Sequence, residues 1–127
     1  MLSKPHILIV DDDTRILDLL KQFFCKNGFE VSTAISVELA QQCLKNSAID
    51  LIILDVMLPK INGIEFAKKI KDSGSTMPIV MLTALSDPHN RIKAIEAGAS
   101  VYISKPFEPE QLLAKVTHLV DNYNVKL

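Results

Sequence analysis

The sequence predicts an α/β fold: a parallel sheet with helices on both faces. Three observations carry the prediction. Five short apolar runs recur along the 127 residues. Segments with apolar residues at helical spacing separate each run from the next. The loops between them are short. Strict strand–helix alternation with short connections gives right-handed crossovers, and hence parallel strands.

The first run is HILIV (6–10), which is almost continuously apolar and reads as a strand covered on both faces. Leu17, Leu20, Phe23, Phe24 and Asn27 then trace one helical face, and Gly28 stands where a helix C-terminus favours glycine. The second run, EVSTA (30–34), alternates with small or polar residues, as a less buried or edge strand does. Ser36 can cap a second helix carrying Leu39, Ala40, Cys43 and Leu44. DLIIL (50–54) is again continuously apolar. A third helix is expected from about Ile64 to Lys71, with Phe66, Ala67 and Ile70 inward. PIVML (78–82) follows as another fully covered strand. A fourth helix starts near Asp87-Pro88, a capping residue before proline at the first helical position, and stops at Gly98. SVYIS (100–104) reads as a second edge strand. The last helix begins at Pro109 and presents Leu112, Leu113, Val116, Leu119 and Val120.

The length suits one domain with a real core. We place it at residues 1–122, with 123–127 as a tail or the start of a linker. A formal net charge of -1 shows no basic excess, so composition does not argue for nucleic acid or an anionic membrane as partner. The start, MLSKPHILIVDDD, holds too few consecutive apolar residues for a signal-peptide core or a membrane span. A cytoplasmic protein is expected. Cys25 and Cys43 have neither metal-ligand nor CxxC spacing and read as small hydrophobes within helices. His6, His89 and His118 are scattered and read as surface or boundary residues.

In open α/β sheets, ligands bind beyond the carboxyl ends of the strands. Asp11, Asp12 and Asp13 follow the first strand, Asp55 the third, Thr83 the fourth and Lys105 the fifth. Like charges side by side at the end of a buried strand are costly unless a cation shares them. A plain capping role needs only one acid. Asp13, just before Thr14 at the helix start, fits that role. Clustered carboxylates suit a hard divalent cation such as Mg²⁺, which takes oxygen ligands and keeps several waters. One aspartate could then accept a phosphoryl group as nucleophile, with the Lys105 ammonium and Thr83 hydroxyl neutralising the transferred oxygens.

Four segments, ILIVDDD (7–13), LIILDVMLPKINGIEF (51–66), PIVMLTA (78–84) and AGASVYISKPF (97–107), resemble in order and spacing the receiver domains of two-component response regulators. The similarity runs over essentially the whole chain. It implies a flavodoxin-like, doubly wound sheet of five parallel strands in the order 2-1-3-4-5, with five helices. It implies that Asp11, Asp12, Asp55 and the backbone carbonyl of Met57 hold Mg²⁺, and that Asp55 is the phosphoacceptor. Lys105 then pairs with Asp55 or with the phosphoryl oxygens, Thr83 hydrogen-bonds the phosphoryl group, and Tyr102 moves inward behind it as the switch aromatic. The Lys105–Pro106 bond is expected to be cis. Asn62-Gly63 reads as a turn, with Gly63 supplying backbone freedom beside the site. The implied partners are a histidine kinase or histidine phosphotransfer protein and a downstream effector domain or protein. Such a protein is not an enzyme beyond its own phosphorylation and slow dephosphorylation.

Other readings fit less of the chain. Asp11-x-Asp13 followed by Thr14 is similar to the DxDx(T/V) motif of haloacid-dehalogenase-type phosphatases, but Arg15 stands at its last position and no later acidic pair follows a strand. Receiver-like modules that act without phosphorylation lack part of the acidic set or the lysine, all of which is present here. The four glycines form no phosphate-cradling loop. Met57 and Leu85, two positions beyond Asp55 and Thr83, are bulky and apolar and are expected to restrict hydrolytic water. The LIILDVMLPKINGIEF segment and the SKPF ending resemble the subfamily with winged-helix effectors, whereas Ser100, Val101 and Lys115 depart from the charged pattern of its dimer interface.

Overall fold

The computed structural model describes residues 4–58, 62–83 and 88–125. Five strands alternate with five helices: β1 (His6–Val10), α1 (Thr14–Lys26), β2 (Glu30–Ala34), α2 (Val37–Asn46), β3 (Leu51–Asp55), α3 (Gly63–Asp72), β4 (Ile79–Thr83), α4 (Pro88–Glu96), β5 (Val101–Ser104) and α5 (Pro109–Val125). All pairings are parallel and the sheet order is β2-β1-β3-β4-β5. The two alternating sequences, EVSTA and SVYIS, are the two edges.

Successive strand residues point to opposite faces, and each face meets its own helices. Leu8, Val10, Ile52, Leu54, Ile79 and Met81 pack toward α2, α3 and α4. Ile7, Ile9, Leu51, Ile53, Val80 and Leu82 pack toward α1 and α5. All twelve side chains are fully buried, which is why the three central strands carry no polar alternation. On the second face Phe24 meets Phe23 and Phe29 edge to face, with ring centroids 5.6 and 5.3 Å apart. T-shaped packing suits the charge distribution of aromatic rings.

Local signals set most helix ends. The Asp13 side chain accepts from the Arg15 N–H at the start of α1, and Ser36 accepts from Leu39 at the start of α2. Asn62 caps α3 by accepting from the Ile64 N–H, so that helix begins at Gly63, one residue earlier than expected. β3 and β4 sit one residue further along than expected, which makes Asp55 and Thr83 their final residues. The helix of α5 continues through Val125. Asp87 and its proposed capping role lie outside the described residues.

Two expectations of burial fail. Leu39 is 42% exposed, because Val37 and Ala40 form the inward stripe of α2 and Leu39 falls off it. Cys25 is exposed, one residue past Phe24 and about 100° around the helix from it. Cys43 is half-buried against the core, as expected of a small hydrophobe. Among the described residues, no helix is long and apolar enough to cross a membrane.

Candidate functional site

The sheet's topology brings the carboxyl ends of β1, β3, β4 and β5 to one edge of the molecule. Asp11 follows β1 directly, and its N–H donates to the Ala34 carbonyl at 3.1 Å, extending the strand pairing by one residue. The Asp13 N–H then turns back to donate to Asp11 Oδ1 at 2.9 Å. These bonds fix the Asp11 carboxylate, which is only 1% exposed. Asp12 is exposed. Asp13 is turned away into the α1 cap, where hydrogen bonds from Arg15 hold its carboxyl below the usual carboxylate range.

Asp55 ends β3, buried, and its Oδ1 accepts the Met57 N–H at 3.0 Å. The loop behind it closes where the Gly63 N–H donates to the Val56 carbonyl at 2.9 Å. Gly63 was expected to supply conformational freedom. The structure gives a different reason for it: a Cβ there would lie 2.2 Å from the Asp55 backbone oxygen and 3.0 Å from Val56 Cα. Only a hydrogen fits between α3 and the strand end that carries Asp55.

From the other side, the Lys105 N–H donates to the Thr83 carbonyl, and the Lys105–Pro106 peptide bond is cis. Lys105 Nζ lies 3.1 Å from Asp11 Oδ2 and 3.4 Å from Asp55 Oδ2, so one ammonium joins both buried carboxylates. Thr83 is buried at the end of β4, opposite Ser104 in register. Tyr102, opposite Met81, is half-buried against the α2–α3–α4 side of the core. Its hydroxyl is buried and has no hydrogen-bond partner among the described residues.

Burial pushes the Asp55 carboxyl above its usual pKa, and the Asp11 charge adds to that push. The Met57 N–H and the Lys105 ammonium offset only part of it. For Lys105, burial alone works against the charged form, yet the charges of Asp11 and Asp55 outweigh it and hold the ammonium above its usual range. Carboxylate oxygens of Asp11, Asp12 and Asp55 all lie within 4.8 Å of one another, a spacing that could hold a metal ion. The donors are all hard oxygens, the chemistry of a Mg²⁺ or Ca²⁺ site rather than of a zinc or copper one.

The fold therefore gathers Asp11, Asp12, Asp55 and Lys105 and sets Thr83 beside them. Met57 stands at the rim with its side chain 66% exposed. Leu85 lies outside the described residues. Sequence reasoning missed the apolar groove that flanks Lys105, about 440 Å³ in volume and lined by Ile16, Leu19, Phe107 and neighbours. Its only signal was Leu19, an apolar residue off the buried stripe of α1 and 58% exposed.

A family model described as the response regulator receiver domain matches residues 7–117. Protein PetR of Rhodobacter capsulatus is 41% identical over 118 residues, which cover 93% of this chain and 49% of that protein. Response regulator SaeR of Staphylococcus aureus is 36% identical over 115 residues, covering 91% of this chain and 50% of its own length. The chain thus spans about half the length of the curated relatives it matches. Among solved structures, a CheY-like response regulator receiver domain protein from Methanospirillum hungatei shares the fold with a TM-score of 0.89 at 35% identity, covering 94% of this chain and 96% of that one. Strand order, acidic cluster and sequence agree: this chain belongs to the receiver-domain family of two-component response regulators.

Proposed function

We propose that this receiver domain takes up a phosphoryl group on Asp55 from the phosphohistidine of a histidine kinase or phosphotransfer protein. The observation that carries the reading is the Asp55 carboxylate itself. It is buried, held by Met57 at one oxygen, and joined at the other to an ammonium shared with Asp11. An Asp55 oxygen attacks phosphorus in line, the phosphorus–nitrogen bond of the donor breaks, and the imidazole leaves with the electron pair and takes up a proton. The product is an acyl phosphate.

The residues divide the remaining work. Carboxylates of Asp11, Asp12 and Asp55, with the backbone carbonyl of Met57, would hold a Mg²⁺ ion. When bound, that ion neutralises charge on the equatorial phosphoryl oxygens. Lys105 pairs with a second phosphoryl oxygen, and the Thr83 hydroxyl donates to a third. Withdrawal of Thr83 toward the phosphoryl group alters the space beside β5, where Tyr102 lies, and biases the α4–β5 surface between two arrangements. That surface then meets a downstream effector domain or protein. The exposed Met57 side chain restricts the approach of hydrolytic water.

Intact-protein mass after incubation with acetyl phosphate and Mg²⁺ tests the assignment. Wild type should gain the mass of one phosphoryl group and Asp55→Asn should gain none, while Asp13→Ala should still be labelled. Labelling of the Asp55→Asn protein would overturn the choice of nucleophile.

A further inference from the structure

Little apolar burial holds α4 to the sheet. Among its described side chains Ala94 is buried, whereas Arg91, Lys93 and Glu96 face solvent and Ile92 and Ile95 are each 56% exposed. A helix that buries so little belongs to the low-stability end of a fold. Its carboxyl end is nevertheless tied down. The Gly98 N–H donates to the Ile95 carbonyl and the Ala99 N–H to the Ala94 carbonyl, both at 3.0 Å, and Gly98 closes the turn with a φ of +104°. Lys71, in the last turn of α3, lays its stem across that turn. A Cβ on Gly98 would collide with Lys71 Cγ and lie 2.9 Å from Cε and 3.0 Å from Cδ. Lys71 Nζ then donates to the Met77 carbonyl at 3.3 Å, just ahead of β4. Its backbone carbonyl accepts the Gly74 N–H at 3.0 Å, where α3 ends. One residue thus joins the end of α3, the entrance of β4 and the end of α4. Beyond Gly98, Ser100 ties the start of β5 to Ile79 through its N–H at 2.7 Å and its Oγ at 3.3 Å.

We propose that Lys71 is a pin that clamps the carboxyl end of α4, so that α4 opens and swings from its amino end about this point. The reading above supplies only the element that moves; the pin rests on the contacts of Lys71 itself. Helices ordinarily fray at both ends, because their first N–H groups and last carbonyls lack partners within the helix. A side chain that crosses the closing turn and bonds beyond it removes that freedom at one end only. Motion confined to the other end leaves β5 in register with β4 while the outer face of α4, with Ile92 and Ile95, changes direction. Lys71 is a positioning residue, at the opposite end of β4 from Thr83.

Amide hydrogen exchange of the unphosphorylated protein, read residue by residue by NMR, needs no phosphoryl transfer. In wild type the amides of Ala97, Gly98 and Ala99 should be protected at least about fivefold better than those of Ile92, Lys93 and Ala94. Lys71→Ala should speed exchange of the first group at least about tenfold and leave the amides of β1 and α1 within about twofold of wild type. Lys71→Arg, which keeps a stem and a donor, should stay within about threefold of wild type. Unchanged exchange at Ala97–Ala99 in Lys71→Ala, or an arginine no better than alanine, overturns the proposal. So does equal acceleration in β1 and α1, which marks a general loss of stability. If Lys71→Ala does not fold, Lys71→Met takes its place: it keeps the stem and loses the donor, and should speed the same amides at least about threefold. Unchanged exchange in that variant, or a wild type in which Ala97–Ala99 exchange as fast as Ile92–Ala94, is equally fatal. Failure of the wild type to take up a phosphoryl group from acetyl phosphate would sink the phosphoacceptor assignment and leave the pin standing, so the two fail separately.

Discussion

Burial keeps the Asp55 carboxyl proton-hungry, since the Met57 N–H and the Lys105 ammonium offset only part of the desolvation and of the Asp11 charge. A carboxyl whose pKa is raised on folding binds protons better folded than unfolded. Its contribution to stability therefore falls as pH rises from 3.8 through the raised value, and it stays unfavourable above that. In metal-free buffer at pH 7, Asp55→Asn should be more stable than wild type by about 1 kcal/mol. Lys105 keeps Asp11 as a partner, so no buried charge is left alone. The gain should shrink in acid, where wild-type Asp55 is itself neutral. Urea unfolding at the two pH values checks both the sign and the window. Lys105 runs the other way: its raised pKa gives stability that is complete below 10.5 and is lost as pH climbs through the raised value. Tyr102 offers a second test at this scale. Its buried hydroxyl lacks a partner among the described residues, and an unmet buried donor costs about 1–3 kcal/mol. Tyr102→Phe should therefore leave stability unchanged or raise it by up to about 1 kcal/mol, read from the shift in thermal melting. A clear loss would show that the hydroxyl has a role in the resting fold.

At the scale of elements, the β3–α3 connection decides where Asp55, the proposed phosphoacceptor, sits. The Gly63 N–H closes the loop onto Val56, and the missing Cβ lets α3 approach the Asp55 carbonyl. In Gly63→Ala the methyl would meet backbone at 2.2 Å, and backbone cannot give way as a flexible side chain does. Overpacking of this kind costs about 1–3 kcal/mol. Because the strand end must shift with it, labelling of Asp55 by acetyl phosphate should slow as well. Denaturant unfolding and the labelling rate should move together; a destabilised protein labelled at the wild-type rate would refute the coupling. This contact was illegible in the sequence. It joins two backbone segments, and an Asn-Gly pair advertises a turn whether or not anything packs against it. By contrast, the difference between edge and central strands was plain. A strand buried on both faces has no polar side, as HILIV shows, whereas EVSTA and SVYIS alternate. Helix positions one step off the buried stripe were the weak point. Leu39 and Cys25 have apolar character but not the angular position that buries it.

The whole molecule makes the site from residues far apart in the chain, since the ion pair of Lys105 with Asp11 spans 94 positions and that with Asp55 spans 50. Composition could not show this. The rule that ligands lie beyond the carboxyl ends of parallel strands picked out residues that the fold does bring together, because alternation fixed which end of every strand faces the same way. It could not show that the ammonium stands between the two buried acids, which depends on side-chain placement. One consequence belongs to the entire fold. Three carboxylates and one ammonium converge only when β1, β3 and β5 lie in register, so an ion that binds the cluster binds the folded chain and not the unfolded one. Such a ligand stabilises by mass action, by about 2.7 kcal/mol at a hundred times its Kd. Mg²⁺ at that level should raise the melting temperature of wild type by several degrees. The chelated protein should show none of the gain, and neither should a variant with Asp11→Asn and Asp12→Asn together. Because Asp11 and Asp55 repel when unshielded, the metal should help most where both are ionised. The gain in melting temperature should accordingly fade as pH drops toward the raised pKa of Asp55. An equal shift in the doubly substituted protein would mean that Mg²⁺ acts elsewhere on the surface, and that the three aspartates are not its site.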